Sequence, residues 1–418
     1  MHFKSKFWLH FSFINLLIVA LLGLLMRYKI GFEFPYLDQK HLQHSHSHFA
    51  FSGWISHTIM VLMIGFLDIR LNKNGSHVQN KFFLKKYNSI LIANLVSAYG
   101  MLVFFIIQGY GLFSIIFSTL SIIVACVFAY FYCKDLQFIP KQDLSKNWFK
   151  AALFFNVISS FGTFVLAYMM VTKNIHQEEY LASIYFYLHF QYNGWFFFAC
   201  MGLLFSFLTI QSSDHPFYNS VFKLFFISCI PAYFLSTLWW DLPLWIYSIT
   251  VLAAFVQVFT MFRFLLILIK NKREFLHQFP SFLRYLLLFV AFALSLKFVL
   301  QLCSTLPVIS KLAFGFRPIV IAYLHLVLLA IFSLFLLFYI FATALIAINN
   351  RIKIWVIIFS IGVLINEIIL AVQGIASFSY TVIPFVNELL FGAAIVLVAG
   401  IGMTAYFVLK SEKKHPII

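Results

Sequence analysis

RPIVIAYLHLVLLAIFSLFLLFYIFATALIAI, residues 317–348, decides the fold. After Arg317 it reaches Ile348 without another charged side chain, and a membrane-crossing helix needs only about 20 mostly apolar residues. The run also carries His325. An ionisable ring in hydrocarbon is costly, so its presence there marks a function.

Eleven further stretches read the same way. Spans are expected near 7–27, 47–67, 87–109, 111–133, 148–171, 183–210, 219–239, 242–269, 283–303, 317–348, 352–373 and 383–409. The fold class is therefore all-α, a polytopic membrane protein with twelve transmembrane helices. The connections at 109–111 and 240–241 are too short for anything but antiparallel hairpins. No connection is long enough to fold separately, so residues 1–418 are read as one transmembrane domain. No internal repeat stands out, which weakens an inverted-repeat transporter reading.

Composition agrees. Of 418 residues, 63% are hydrophobic and only 10% charged, with a mean hydropathy of +0.95. Soluble domains carry about a quarter charged residues. The 56 phenylalanines suit lipid-facing and helix-packing positions. The first apolar run is too long for a signal-peptide core and no small-residue cleavage site follows it, so no cleavable signal is expected. The net charge of +16 lies in connections between spans. It is read as an orientation signal and a contact with anionic lipid, not as a nucleic-acid footprint. The five cysteines sit in or beside apolar runs without a C-x-x-C pair and are read as packing residues.

Lysine and arginine set the expected orientation. Arg70, Lys73, Lys81, Lys85, Lys86, Lys134, Lys141, Lys146, Lys270, Lys272, Arg273, Arg351 and Lys353 follow even-numbered spans, and the tails add Lys4, Lys6, Lys410, Lys413 and Lys414. Segments after odd-numbered spans hold fewer cations, chiefly Arg27, Lys29, Lys40, Lys173, Lys311 and Arg317. Both termini are therefore expected in the cytoplasm.

Spans two, six and ten then run from outside inward, and each carries a histidine. His48 lies in HSHFAFSGW (46–54) at the outer start of span two. His189 lies in YLHFQYNGWF (187–196) and His325 in AYLHLVLL (322–329). The last two come roughly two turns into their helices, about 10 Å at 1.5 Å per residue. Three imidazoles at matched depth point to a shared cofactor, since imidazole is the usual protein ligand of haem iron and copper.

These residues resemble subunit I of the haem–copper oxidases, including its nitric oxide reductase branch. The resemblance covers nearly the whole chain by span count and is local in its motifs. It implies an oxidase-like bundle of twelve spans and a low-spin haem held by histidines of spans two and ten. In the family, span ten carries His-x-His, span six supplies one ligand of a second metal, and a His-His pair in span seven supplies two more. Here Tyr323 takes the first position of His-x-His and His325 the second. The resemblance makes His325 a haem ligand paired with His48, with His46 as the rival in span two. His189 becomes a residual ligand of a second metal. Asn193 stands where the reductases carry Glu, before Gly194. In IPAYFLSTLWWDLPLW (230–245), Leu235 and Ser236 replace the His-His pair. Leu has no donor atom and a neutral Ser hydroxyl is a poor one, so copper or non-haem iron is not expected. Tyr323 as a phenolate ligand would keep a second haem open, although nothing else of that site survives. The absence of C-x-x-C-H points to haem b without covalent attachment. Arg317 is a candidate partner for a haem propionate.

The implied function is electron transfer or redox or gas sensing by a b-type haem protein with a degenerate dinuclear site. Its partners would be the lipid bilayer, a quinol or cytochrome c-type electron donor and other membrane subunits, in a bacterial inner membrane. Two alternatives stand beside it: an active, divergent nitric oxide reductase or terminal oxidase, and a haem-free transporter or assembly factor. His41, His44 and His48 would share a helix face, read as a wet entry segment in preference to a copper or zinc site. His57 is read as a hydrogen-bonding core residue. Lys297, Glu367 and Glu388 lie inside spans and are open between proton path, structural pairing and interfacial anchoring.

Overall fold

The computed structural model describes residues 3–73, 81–208, 214–270 and 272–411. The side chains of residues 73, 81, 270, 272–274, 312, 313 and 411 are outside that description. So are Lys413, Lys414 and the last two residues of the expected span 183–210. The protein is all-helical, with 86% helix and no strand among the described residues.

Among the described residues, ten helices are long and apolar enough to cross a membrane: Ser5–Gly31, Gln39–Asn72, Phe82–Gln108, Leu112–Phe138, Ser145–Thr172, Leu244–Ile269, Ser281–Cys303, Arg317–Ala342, Asn350–Phe378 and Val386–Lys410. The expected span 219–239 is a bent pair, His215–Cys229 and Pro231–Thr237, meeting at 44°. Pro231 causes the bend, because its ring lacks an N–H and clashes with the preceding turn. The expected span 183–210 is helical over 177–205, but His189, Gln191 and Asn193 in its middle lower its apolarity below that of the ten.

Two boundaries moved for identifiable reasons. The helix of span two begins at Gln39, well before residue 47, because the Asp38 carboxylate caps it by accepting the N–H groups of Lys40 and His41, both at 2.8 Å. His48 therefore lies well inside its helix and not at the start. Span ten stops at Ala342 instead of 348, where Ala344 adopts a left-handed φ of 53°. Asn349 then caps the next helix by accepting the Ile352 N–H at 2.9 Å.

The chain forms two compact units. Unit one comprises Met1–Phe138 and Leu336–Ile418, and unit two comprises Ile139–Phe335. In unit one, Gly109 turns Lys81–Gln108 into Leu112–Asp135 with a φ of 58°, a conformation that costs glycine nothing. The other end of that hairpin is tied by Asp135, which accepts from Lys86 Nζ at 2.6 Å and from the Tyr87 hydroxyl at 2.7 Å. In unit two, fully buried Trp148 packs among Phe198, Phe205 and Phe222, with ring centroids 5.2–5.3 Å away. Lipid is as apolar as a core, so such packing contributes through dispersion and ring geometry, about 0.5–1.5 kcal/mol per aromatic pair.

Candidate functional site

Each of the three histidines lies immediately, or one residue, before a π-helical turn. His48 precedes Ala50–Ser56, His189 precedes Phe190–Phe196, and His325 precedes Leu326–Ser333. A π turn fits an extra residue into the helix, is rare, and concentrates at functional sites. It also displaces backbone carbonyls from their ordinary partners, and buried carbonyls need partners. Neighbouring side chains supply them. In unit one, Asn15 Nδ2 donates to the Gly53 carbonyl at 2.5 Å and is itself placed by the Tyr99 hydroxyl, 2.7 Å from Asn15 Oδ1. Asn94 Nδ2 donates to the Ser52 carbonyl at 3.3 Å. In unit two, Ser333 Oγ donates to the Leu328 carbonyl at 2.8 Å. The side chain of Gln191, itself in the turn after His189, is held by donating through Nε2 to Asn156 Oδ1 at 2.9 Å and to Ser159 Oγ at 2.8 Å.

The turns expose a repeat that span counting missed. HFAFSGW (48–54) and HFQYNGW (189–195) align without a gap and share His, Phe, Gly and Trp. Trp54 and Trp195 are both fully buried. At Gly194 a side chain would collide with Phe155, so the close approach of the two helices requires glycine.

In unit one, His46 and His48 are two residues apart and point to opposite sides of their helix, about 200° apart at 3.6 residues per turn. The His48 ring stacks on Phe105 with centroids 4.3 Å apart, and its Nε2 lies 3.2 Å from the Tyr110 hydroxyl. His44 meets the Tyr110 ring edge-on at 4.7 Å, and His41 Nδ1 lies 3.3 Å from the Ile106 carbonyl. His41, His44 and His48 thus share the expected face, against the end of Lys81–Gln108. Among the described residues no group of three His, Cys, Asp or Glu is arranged to hold a metal ion. His46 turns to the other side, toward Ser5–Gly31, where its Cε1 would be 3.5 Å from a Cβ added at Gly23. Buried His57 lies with Nδ1 3.4 Å from Asn94 Nδ2, as a core residue would.

In unit two, His189 is held at both ring nitrogens. Its Nε2 lies 2.9 Å from the Cys229 carbonyl, which only accepts, so Nε2 carries the proton. Nδ1 is then the acceptor for Asn193 Nδ2 at 3.0 Å. The Cys229 carbonyl is available because of the Pro231 bend: the Tyr233 N–H, its helical partner four residues on, bonds instead to Ile230 at 3.2 Å. Cys229 Sγ closes the cluster by donating to the Asn193 carbonyl at 3.6 Å. In this arrangement neither nitrogen has a lone pair to give a metal. Leu235 is buried in an apolar cluster with Ala232, Ala253 and Ala254, and Ser236 is hydrogen-bonded to Tyr192. A second metal therefore does not fit these residues. Cys229 and Tyr110, which hold two of the histidines, carried no signal in the span-by-span reading.

His325 differs. Its Nδ1 lies 2.9 Å from the Ile321 carbonyl, one turn back, so Nδ1 carries the proton and Nε2 the lone pair. A backbone carbonyl on the other ring nitrogen is what orients metal-binding imidazoles and fixes their tautomer. His325 fits an axial haem ligand in this respect. Tyr323 turns to Tyr192, ring edge to face at 6.3 Å. Arg317 is exposed at the first residue of the helix, about 12 Å from His325 along the axis at 1.5 Å per residue.

No protein-family model matches the chain, and no curated protein matches it.

Proposed function

We propose that the chain is a membrane b-type haem protein of the haem–copper oxidase subunit I type, with one low-spin haem and a degenerate second site. The observation that carries this reading is the His325 ring on a membrane helix, tethered through Nδ1 to the Ile321 carbonyl, which makes Nε2 the nitrogen with the lone pair. His325 would be one ligand. The resemblance takes the other from span two, which holds two candidates, and we assign His46. The His48 Nε2 is already engaged by Tyr110 and its ring is covered by Phe105. His46 turns to the opposite side of the helix, toward Gly23. When bound, haem would supply one-electron chemistry, and the protein would hold it through His325 and a span-two histidine, with Arg317 as a candidate propionate partner.

The closed His189 cluster favours electron transfer or redox or gas sensing over an active reductase or oxidase, because it leaves no ligand set for a second metal. Twelve crossings, cytoplasmic termini, a bacterial inner membrane and a quinol or cytochrome c-type donor with further membrane subunits complete the proposal. A reduced-minus-oxidised spectrum of the purified protein tests it: a single low-spin b-type signal supports it, and no haem removes it.

A further inference from the structure

Helix Asn350–Phe378 in unit one has two contrasting faces. Ile352, Val356, Phe359, Val363, Asn366 and Leu370 are buried and recur every three or four residues. That face packs on Val386–Ser411, where a Cβ on Gly400 would come within 2.7 Å of the Phe359 backbone. The other face carries Ile357, Ile361, Leu364, Ile368, Val372 and Ile375 at the same spacing, each 39–67% exposed. Glu367 lies at the border between the two faces, near the middle of the 29-residue helix. It is half-buried, and its one partner among the described residues is Asn366, whose Nδ2 donates to Glu367 Oε1 at 3.2 Å. No cation pairs with it among those residues.

We propose that this face is the interface between two copies of the chain, joined through their Glu367 carboxyl groups. A polar group turned to hydrocarbon is costly until something answers it, and polar side chains hold membrane helices together for that reason. Hydrocarbon carries a carboxylic acid far more cheaply than a carboxylate. The acid form has an O–H donor and a carbonyl acceptor, so it is its own complement. A two-fold interface sets the same surface of both copies face to face, so a residue near its axis meets its own copy. Asn366 already serves Oε1, which leaves Oε2 to reach across. The flanking three-and-four spacing of aliphatic side chains is the pattern that interlocks between paired helices. This inference is independent of haem binding.

The test is subunit counting on the labelled full-length chain in liposomes, over a range of protein-to-lipid ratios. Wild type is expected to dimerise, and Glu367→Gln, which keeps a donor and an acceptor, to dimerise as well. Glu367→Leu should weaken dimerisation about tenfold, the factor equivalent to about 1.4 kcal/mol, with helical content unchanged. Glu367→Ala substitutes for it if the Leu variant does not fold. A monomeric wild type, as lipid or a different partner helix at this face would give, overturns the proposal. So does undiminished dimerisation of the Leu or Ala variant, or its loss in Glu367→Gln.

Discussion

Asn193 holds the ring of His189 from one turn further along the same helix, its Nδ2 3.0 Å from Nδ1, while the Cys229 carbonyl holds Nε2 at 2.9 Å. The residue that most resembles a surviving metal ligand thus has both ring nitrogens held in a buried hydrogen-bond cluster. His189→Ala leaves the Cys229 carbonyl and the Asn193 amide buried without it, at about 1–3 kcal/mol for an unsatisfied group. A clear fall in Tm is expected, with the haem spectrum and metal content per folded chain unchanged. Loss of a non-haem metal from the variant would show that His189 is a ligand after all.

His46 and His48 separate by the same logic. His46→Ala should abolish haem incorporation. His48→Ala removes a ring packed on Phe105 and should lower stability while keeping one haem per chain. Haem analysis of both purified variants decides, and the opposite pattern would return the ligand to His48.

In span ten, His325→Ala should lose the haem and Tyr323→Phe should leave the low-spin spectrum intact. Tyr323 stacks edge-on with Tyr192, so its hydroxyl is not required by the low-spin site. Loss of the whole spectrum in Tyr323→Phe would mean that the register of this helix has been misread.

Asp38 gives a dependence on pH. The N–H of His41, then that of Lys40, holds its carboxyl below the usual carboxylate range. A lowered folded pKa means that the cap is fully present above the unfolded value of about 3.9 and is lost as pH falls through the lower folded value. Hydrogen exchange at residues 40–44, taken relative to the intrinsic rate at each pH, should therefore accelerate below about pH 4. In Asp38→Asn, which caps without titrating, that acid-specific acceleration should be absent. Equal acceleration in both would locate the titration elsewhere.

How much of this was legible in the sequence follows from the physics of each signal. Apolar length is unmistakable, so Ser5–Gly31 or Asn350–Phe378 could be read directly. The helix start at Gln39 was hidden because its first turns are polar and only the Asp38 cap announces them. The bend at Pro231 was legible as a proline, but its consequence was not, since the Cys229 carbonyl it releases is taken by a histidine 40 residues away in sequence. The π turns after His48, His189 and His325 leave no hydropathy trace. For the first two, the repeated HFAFSGW and HFQYNGW was the available clue.

The most direct test of a one-haem membrane protein is optical and stoichiometric. The full-length chain is purified in detergent, its haem is quantified as the pyridine complex, and reduced-minus-oxidised spectra are recorded with and without CO. One haem b per chain, with a single sharp α-band that CO does not shift, is the predicted result. A second haem with a CO-induced shift would mean an active ligand-binding centre, and a chain purified without haem would contradict the account outright.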